Sequence, residues 1–240
     1  MTSVEYGLLA AGALATSTVS GIAGVGGGML FLPLLTAILG VKLAVPYLSF
    51  LLLASNVSRA YFSKSSIDWQ VVRQFLYGVL PGAILGALLF TILPSFWIKK
   101  ALGVYLLSYV ALSFTKAEWP KVATLKTITW IGFPAGFVSA IVGGQGPIVA
   151  PFFLRYGLVK EAFLGTEAVG SAISHVIKLA VWAPAGLLSG SDILLLLPLS
   201  ALSIAGSYFG KLLISRMRVQ VFRGILLLLL AVIGVRFFFF

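Results

Sequence analysis

Apolar runs of about 20 residues recur along the whole chain, separated by short polar stretches. About 20 apolar residues are needed to cross the hydrocarbon core as a helix, so the pattern predicts an all-α, polytopic helical membrane protein. The period-two alternation of a membrane β-barrel is not visible. The runs fall at 6–23, 28–39, 43–62, 69–93 and 96–115. A polar linker, KAEWPKVATLK, follows from Lys116 to Lys126. Five further runs repeat the order at 128–142, 147–158, 162–188, 193–214 and 221–240.

Landmarks inside the runs repeat as well. GIAGVGGGMLFLP, from Gly21 to Pro33, returns as GFVSAIVGGQGPIVAP, from Gly136 to Pro151. Gly26, Gly28, Pro33 and Lys42 match Gly144, Gly146, Pro151 and Lys160 at one offset of about 118 residues. Late in each half comes a GxxxG pair, Gly82 with Gly86 and Gly206 with Gly210, in a run opened by Asp68 or Asp192. Such pairs let helix backbones approach closely in lipid. The chain therefore divides into two transmembrane repeats, residues 1–119 and 120–240. A Gly cluster followed by Pro breaks a helix, and broken backbone at membrane depth is tolerated only where it is buried in protein or lines a cavity. Two breaks at corresponding places in two halves point to a transporter binding site.

Each Gly-rich stretch is either one long broken helix or a hairpin of two short ones, and charge discriminates. With hairpins, Arg59, Lys64, Arg73, Lys116, Lys121, Lys126, Arg155, Lys160, Lys211, Arg216, Arg218 and Arg223 share one side. Only Lys42, Lys99, Lys100 and Arg236 fall opposite, with Lys178 inside a run. With single spans the split is nearly even. The positive-inside rule favours hairpins. Each inverted repeat then holds a Gly-rich broken helix hairpin plus three spanning helices, and both termini face outside.

Composition agrees. The chain is 60% hydrophobic and 10% charged, against roughly 25% charged in soluble domains. Its net charge of +11 is explained by basic loops between apolar runs and does not call for nucleic acid. The N-terminal sequence has no basic residue ahead of its apolar run, so no cleaved signal peptide is expected. There is no cysteine, hence no disulfide or thiolate site. One histidine with scattered Glu and Asp makes a poor metal site, and no cofactor motif is readable. GVGGG has no preceding strand and is not a dinucleotide fingerprint.

The run 162–188 is the least lipid-like. Glu167, Ser171, Ser174 and Lys178 fall at steps of four, three and four, on one helical face, with His175 beside them. Ionisable groups within a span usually face the bundle interior or a wet path. The alternative is that Glu167 pairs structurally with a basic neighbour and that Lys178 snorkels outward. The corresponding run of the first half carries Ser49, Asn56 and Arg59; Asn56 can donate to an anion, and Arg59 reads as the cytoplasmic end of its helix. The Gly clusters offer backbone N–H groups at the starts of short helices, which suit anions. This gives Gly26, Gly27, Gly28, Asn56, Gly144, Gln145, Gly146, Ser171 and His175 as expected substrate contacts. Glu167, His175 and Lys178 are the expected coupling residues. The unperturbed pKa of His, about 6.5, makes His175 a candidate for pH-dependent hold and release. Against this stands plain helix packing by the glycines, and His175 as a neutral donor.

With GVGGGMLFLP, GGQGPIVAP, the stretch KEAFLGT from Lys160 to Thr166 and the duplicated layout, nearly the whole chain resembles the sulfite exporter TauE/SafE family. The resemblance implies a secondary transporter moving small sulfur-containing anions (sulfite, thiosulfate, sulfonate type) across a prokaryotic inner membrane. It equally implies carboxylates in some members, and it leaves direction open. Gln145 departs from a plain triple Gly. An anion channel using the same donors is the alternative from another class. An intramembrane hydrolase built on Ser171 and His175 lacks a readable oxyanion arrangement, so no enzyme is expected.

Overall fold

A computed structural model describes residues 2–23, 27–114, 123–213 and 219–239. Among the described residues the secondary structure is helical throughout. The helices are α1 (Ser3–Ala23), α2 (Gly27–Leu39), α3 (Val41–Phe62), α4 (Trp69–Ile92), α5 (Ser95–Phe114), α6 (Leu125–Val142), α7 (Gly146–Tyr156), α8 (Lys160–Trp182), α9 (Gly190–Leu213) and α10 (Val219–Phe239). A single 3-10 turn, Lys64–Ser66, links α3 to α4. Each expected apolar run is one helix. Among the described residues α3, α4, α6 and the Gly190–Phe209 part of α9 are long and apolar enough to cross a membrane.

One boundary is corrected. The run expected to reach residue 188 stops as a helix at Trp182. Ala183 still has helical angles and donates its N–H to the Leu179 carbonyl at 2.9 Å, but Pro184 follows it and brings no N–H to continue the ladder. The chain then turns, with Gly186 at φ 74° and the Leu187 N–H donating to the Trp182 carbonyl at 3.1 Å.

Caps explain where the helices start. The Asp68 carboxylate accepts from the Gln70 and Val71 N–H groups, each at 3.0 Å, and opens α4. Asp192 acts one turn into its helix rather than at its edge. Its carboxylate accepts from the Ser189 N–H at 2.7 Å while Ser189 Oγ accepts from the Asp192 N–H at 3.3 Å, a reciprocal capping box. Thr2 and Glu5 repeat that arrangement at α1. The landmark Lys42 proves structural, its Nζ donating to the Phe90 and Thr91 carbonyls at 2.7 and 3.0 Å, at the end of α4.

Packing is mostly between halves. Helix α4 lies on α6, α1 on α9, α3 on α8 and α5 on α10. The first helix of each half thus packs on the fourth helix of the other. Glycine sets these approaches. A Cβ on Gly86 would come 2.5 Å from the Phe137 carbonyl oxygen, and on Gly82 or Gly78 closer still to the Phe133 or Thr129 oxygen. In the α1–α9 pair, Gly206 stands in the same relation to the Leu14 carbonyl, at 2.5 Å. The surroundings of Gly210 lie outside the described residues. Large apolar side chains such as Leu85, Leu88, Ile92, Trp130 and Leu194 point outward, the surface a helix presents to lipid.

In the second half α6 ends at Val142 because Gly143 takes a left-handed conformation, φ 89°, and α7 begins three residues later with Gln145 as its cap residue. In the first half α1 ends at Ala23 and α2 begins at Gly27. Gly26 lies outside the described residues.

Candidate functional site

The polar stripe of α8 faces inward. Glu167 is 5% exposed and Lys178 0%, with Ser171, Ser174 and His175 also buried. Lys178 therefore does not snorkel. Helix α3 packs on this face and brings Ser49 and Asn56, both buried, two helical turns apart. The α6–α7 turn adds Gln145, also buried.

These groups form a hydrogen-bonded chain across three elements. The Gln145 amide donates to Ser171 Oγ at 3.0 Å, and Ser171 Oγ donates to Glu167 Oε1 at 2.5 Å. The other carboxylate oxygen, Oε2, pairs with Arg59 Nη2 at 3.3 Å. The same guanidinium nitrogen donates to Asn56 Oδ1. Arg59 thus has a role beyond ending α3: it turns inward and pairs with α8. Glu167 has the structural partner that the alternative reading required, within the polar face that the functional reading required.

One turn beyond His175, the Lys178 ammonium donates to Ser139 Oγ of α6 at 2.7 Å. No carboxylate among the described residues pairs with it. Further along α8, the Trp182 indole donates to the Ala87 carbonyl of α4 at 3.2 Å, closing this end of the face. Below the turn, Tyr105 of α5 donates to the Gly144 carbonyl at 3.3 Å.

Several buried polar atoms have no hydrogen-bond partner among the described residues. They include Ser49 Oγ, Ser174 Oγ, His175 Nδ1 and Gln145 Oε1. All four belong to α8, to the helix packed on it, or to the cap residue bonded to it. A buried polar group left unpaired costs about 1–3 kcal/mol, so such a concentration asks for an explanation. A separate small cavity of about 20 Å³, room for a single water, lies where α1, α2, α3 and α9 meet, beside Thr16, Ser17, Ser55 and Ser203.

Of the expected site residues, Asn56, Gln145, Glu167 and Ser171 are thus joined through Arg59 into one network. His175 and Lys178 share its helix face, and Gly144 and Gly146 flank Gln145. Gly27 and Gly28 are the first residues of α2. Arg59 as a partner of Glu167, Ser139 as a partner of Lys178, and Tyr105 were missed. A serine at 139, directly before the second Gly cluster in an otherwise apolar run, was the available signal for one of them.

The family described as Sulfite exporter TauE/SafE matches residues 8–237 of the chain. No curated protein and no solved structure matches it.

Proposed function

The chain belongs to the sulfite exporter TauE/SafE family, whose members are membrane transporters and not enzymes, and on that premise we propose a secondary transporter of small sulfur-containing anions. The substrate is of the sulfite, thiosulfate or sulfonate type, and the membrane is the prokaryotic inner membrane. Access alternates between the two sides as one repeat, residues 1–119, rocks against the other, 120–240, the two being inverted. The reciprocal packing of α1 on α9 and α6 on α4 supports a duplicated layout. The observation that carries the reading is the set of unpartnered buried atoms on Ser49, Ser174, His175 and Gln145. An anion between α3 and α8 would accept from the Ser49 and Ser174 hydroxyls and from His175 Nδ1 when it carries the proton, while Gln145 Oε1, an acceptor, would take a proton from a ligand hydroxyl or a water. Backbone N–H groups of Gly26, Gly27, Gly28, Gly144 and Gly146, with Asn56, Gln145 and His175, hold the anion, and Ser171, whose one hydroxyl proton goes to Glu167, holds the Gln145 amide in place. Glu167, His175 and Lys178 couple its movement to that of the repeats.

Purified protein in proteoliposomes tests this. Saturable uptake of a sulfonate or sulfite against its own gradient is expected. Flux that only runs down the gradient would make the protein a channel, and no flux of any such anion would remove the reading.

The topology follows from the distribution of basic residues. Both termini and the Lys99–Lys100 region face outside, and the linker from Lys116 to Lys126 faces inside. Single cysteines in a chain that has none of its own report this directly. Labelling of a linker cysteine by an impermeant reagent in intact cells would contradict the inverted arrangement.

A further inference from the structure

We propose that Lys178 and Ser139 form the charge-bearing subsite, and that the site is built for oxyanions carrying one negative charge. The inference rests on the transporter reading above and narrows its substrate class.

One pair of charges on this face already answers itself. Arg59 and Glu167 face each other at 3.3 Å and answer one another. Lys178 is 0% exposed, and its one described hydrogen bond goes to a neutral hydroxyl. An ammonium has three donors, so two remain for a ligand. A charge buried without an opposite charge is strongly disfavoured, and in membrane-embedded protein it marks an ion pathway or a missing partner.

Of the other charged groups on the elements packed against α8, Asp68 at the start of α4 donates its N–H to Thr166 at 2.9 Å, but it lies about three helical turns from Lys178 and its carboxylate is taken by the Gln70 and Val71 N–H groups. Arg59 is the charged residue that α3 turns toward α8, while Lys42, at the other end of α3, is held by the carbonyls that end α4. Arg73 of α4, Lys126 of α6, Arg155 of α7 and Lys64 of the 3-10 turn are exposed, as are Lys160 and Glu161 at the start of α8 itself. His175 is the remaining titratable group on the face. With His175 neutral, one guanidinium, one carboxylate and one ammonium leave a single positive charge. A singly charged anion closes that balance. A doubly charged one would leave a negative charge buried.

Ligand geometry agrees with this assignment. Two free ammonium donors suit an anion presenting at least two acceptor oxygens, as sulfonates, hydrogensulfite and carboxylates do. Ser174, one turn before Lys178 on the same face, and Ser49 of α3 offer unpartnered hydroxyls for a third oxygen. The Arg59–Glu167 pair then serves as an internal charge standard. It is neutral as it stands, and removing one member changes which anion charge the site prefers.

The test measures uptake in proteoliposomes at pH 6.5, with methanesulfonate as the monoanion and sulfate as the dianion. The wild type is expected to prefer methanesulfonate by at least about tenfold in half-saturation. Lys178→Gln, and the apolar near-isostere Lys178→Met, are expected to raise that half-saturation on the order of 100-fold, while Lys178→Arg keeps the preference. Glu167→Gln adds one unanswered positive charge and is expected to shift preference toward sulfate. For the Glu167 variants the readout is thermal stabilisation by each anion rather than uptake, and the double variant Arg59→Gln/Glu167→Gln restores the balance and the preference for methanesulfonate, which separates charge from damage to the fold or to coupling. Equal wild-type use of sulfate and methanesulfonate, or an unchanged half-saturation in Lys178→Met, would overturn the inference while leaving the transporter standing. A wild type that moves neither these two anions nor sulfite or thiosulfate would instead remove the transporter reading beneath it.

Discussion

Gly82→Leu is expected to yield no stably folded protein. The α4–α6 contact is backbone against backbone: a Cβ at Gly82 would lie against the Phe133 carbonyl oxygen, with the Phe133 carbonyl carbon at 2.9 Å and its Cα at 3.0 Å. Overpacking among side chains costs about 1–3 kcal/mol because rotamers can adjust. Backbone inside a helix cannot adjust in that way, so the two helices must separate. They cannot do so independently, since Gly78 and Gly86 on α4, and Gly132 and Gly136 on α6, make equally close approaches along the same seam. Because lipid is as apolar as leucine, close packing of this kind is the main attraction between helices in a membrane. Size-exclusion profile and thermal stability in detergent report the outcome. Gly82→Ala should fall between wild type and the leucine variant. Gly7→Leu is the control, because a Cβ there meets nothing within 4 Å. A monodisperse Gly82→Leu protein melting with the wild type would show that the seam is not a determinant of the fold.

Most of this helical frame was legible in the sequence. Among the described residues each of the ten apolar runs is a helix, because in lipid every backbone group must be satisfied within its own segment and a run of apolar residues has no other stable form. The GxxxG pair at Gly82 and Gly86 was legible for the same reason, since small residues at that spacing have few uses in a span other than approach. The end of α8 was misplaced because residues 183–188 are themselves largely apolar and hydropathy alone carries across them. Pro184 and the left-handed Gly186 were the local signals against a continuous helix.

The site was legible in part. Glu167, Ser171, Ser174 and Lys178 stood out because polar groups at helical spacing are rare in an apolar run, and all of them are buried. Their partners were not readable. A basic residue near the end of an apolar run has an interfacial role by default, so Arg59 gave no sign that it turns inward to Glu167. Serine is common in spans, so Ser139 gave no sign that it receives Lys178 from another helix. Which side chains meet across α3, α6 and α8 is decided by helix rotation and crossing, and those depend on the glycine contacts of the neighbouring pairs. The local chain carries the residue types, and tertiary packing decides the pairs.

Gly146→Leu is expected to abolish transport, lowering flux by more than about 100-fold, in a protein that still folds. Two glycines of the second break are placed for different reasons. Gly143 sits at φ 89°, where an L-residue is strained by roughly 1–2 kcal/mol, and a Cβ there would press on Leu48 at 3.0 Å. Gly143→Ala should therefore lower stability. Gly146 is the first residue of α7 and is not among the glycines of positive φ, so its backbone makes no such demand. It lies next to Gln145, whose amide is tied to Ser171 and through it to Glu167 and Arg59. A leucine at 146 puts four carbons at the start of α7, where the proposed site needs an anion to approach backbone N–H groups. Nearby orphan donors at a helix start serve an anion only if nothing stands over them. Gly146→Ala, with one added carbon, should retain part of the flux. The two measurements are initial uptake rate in proteoliposomes and melting temperature in detergent. The expected result is a lost rate with a retained melting temperature for Gly146→Leu, and the reverse emphasis for Gly143→Ala. Wild-type uptake by Gly146→Leu would mean that the anion does not approach the start of α7, and recognition would then rest on the side chains of α3 and α8.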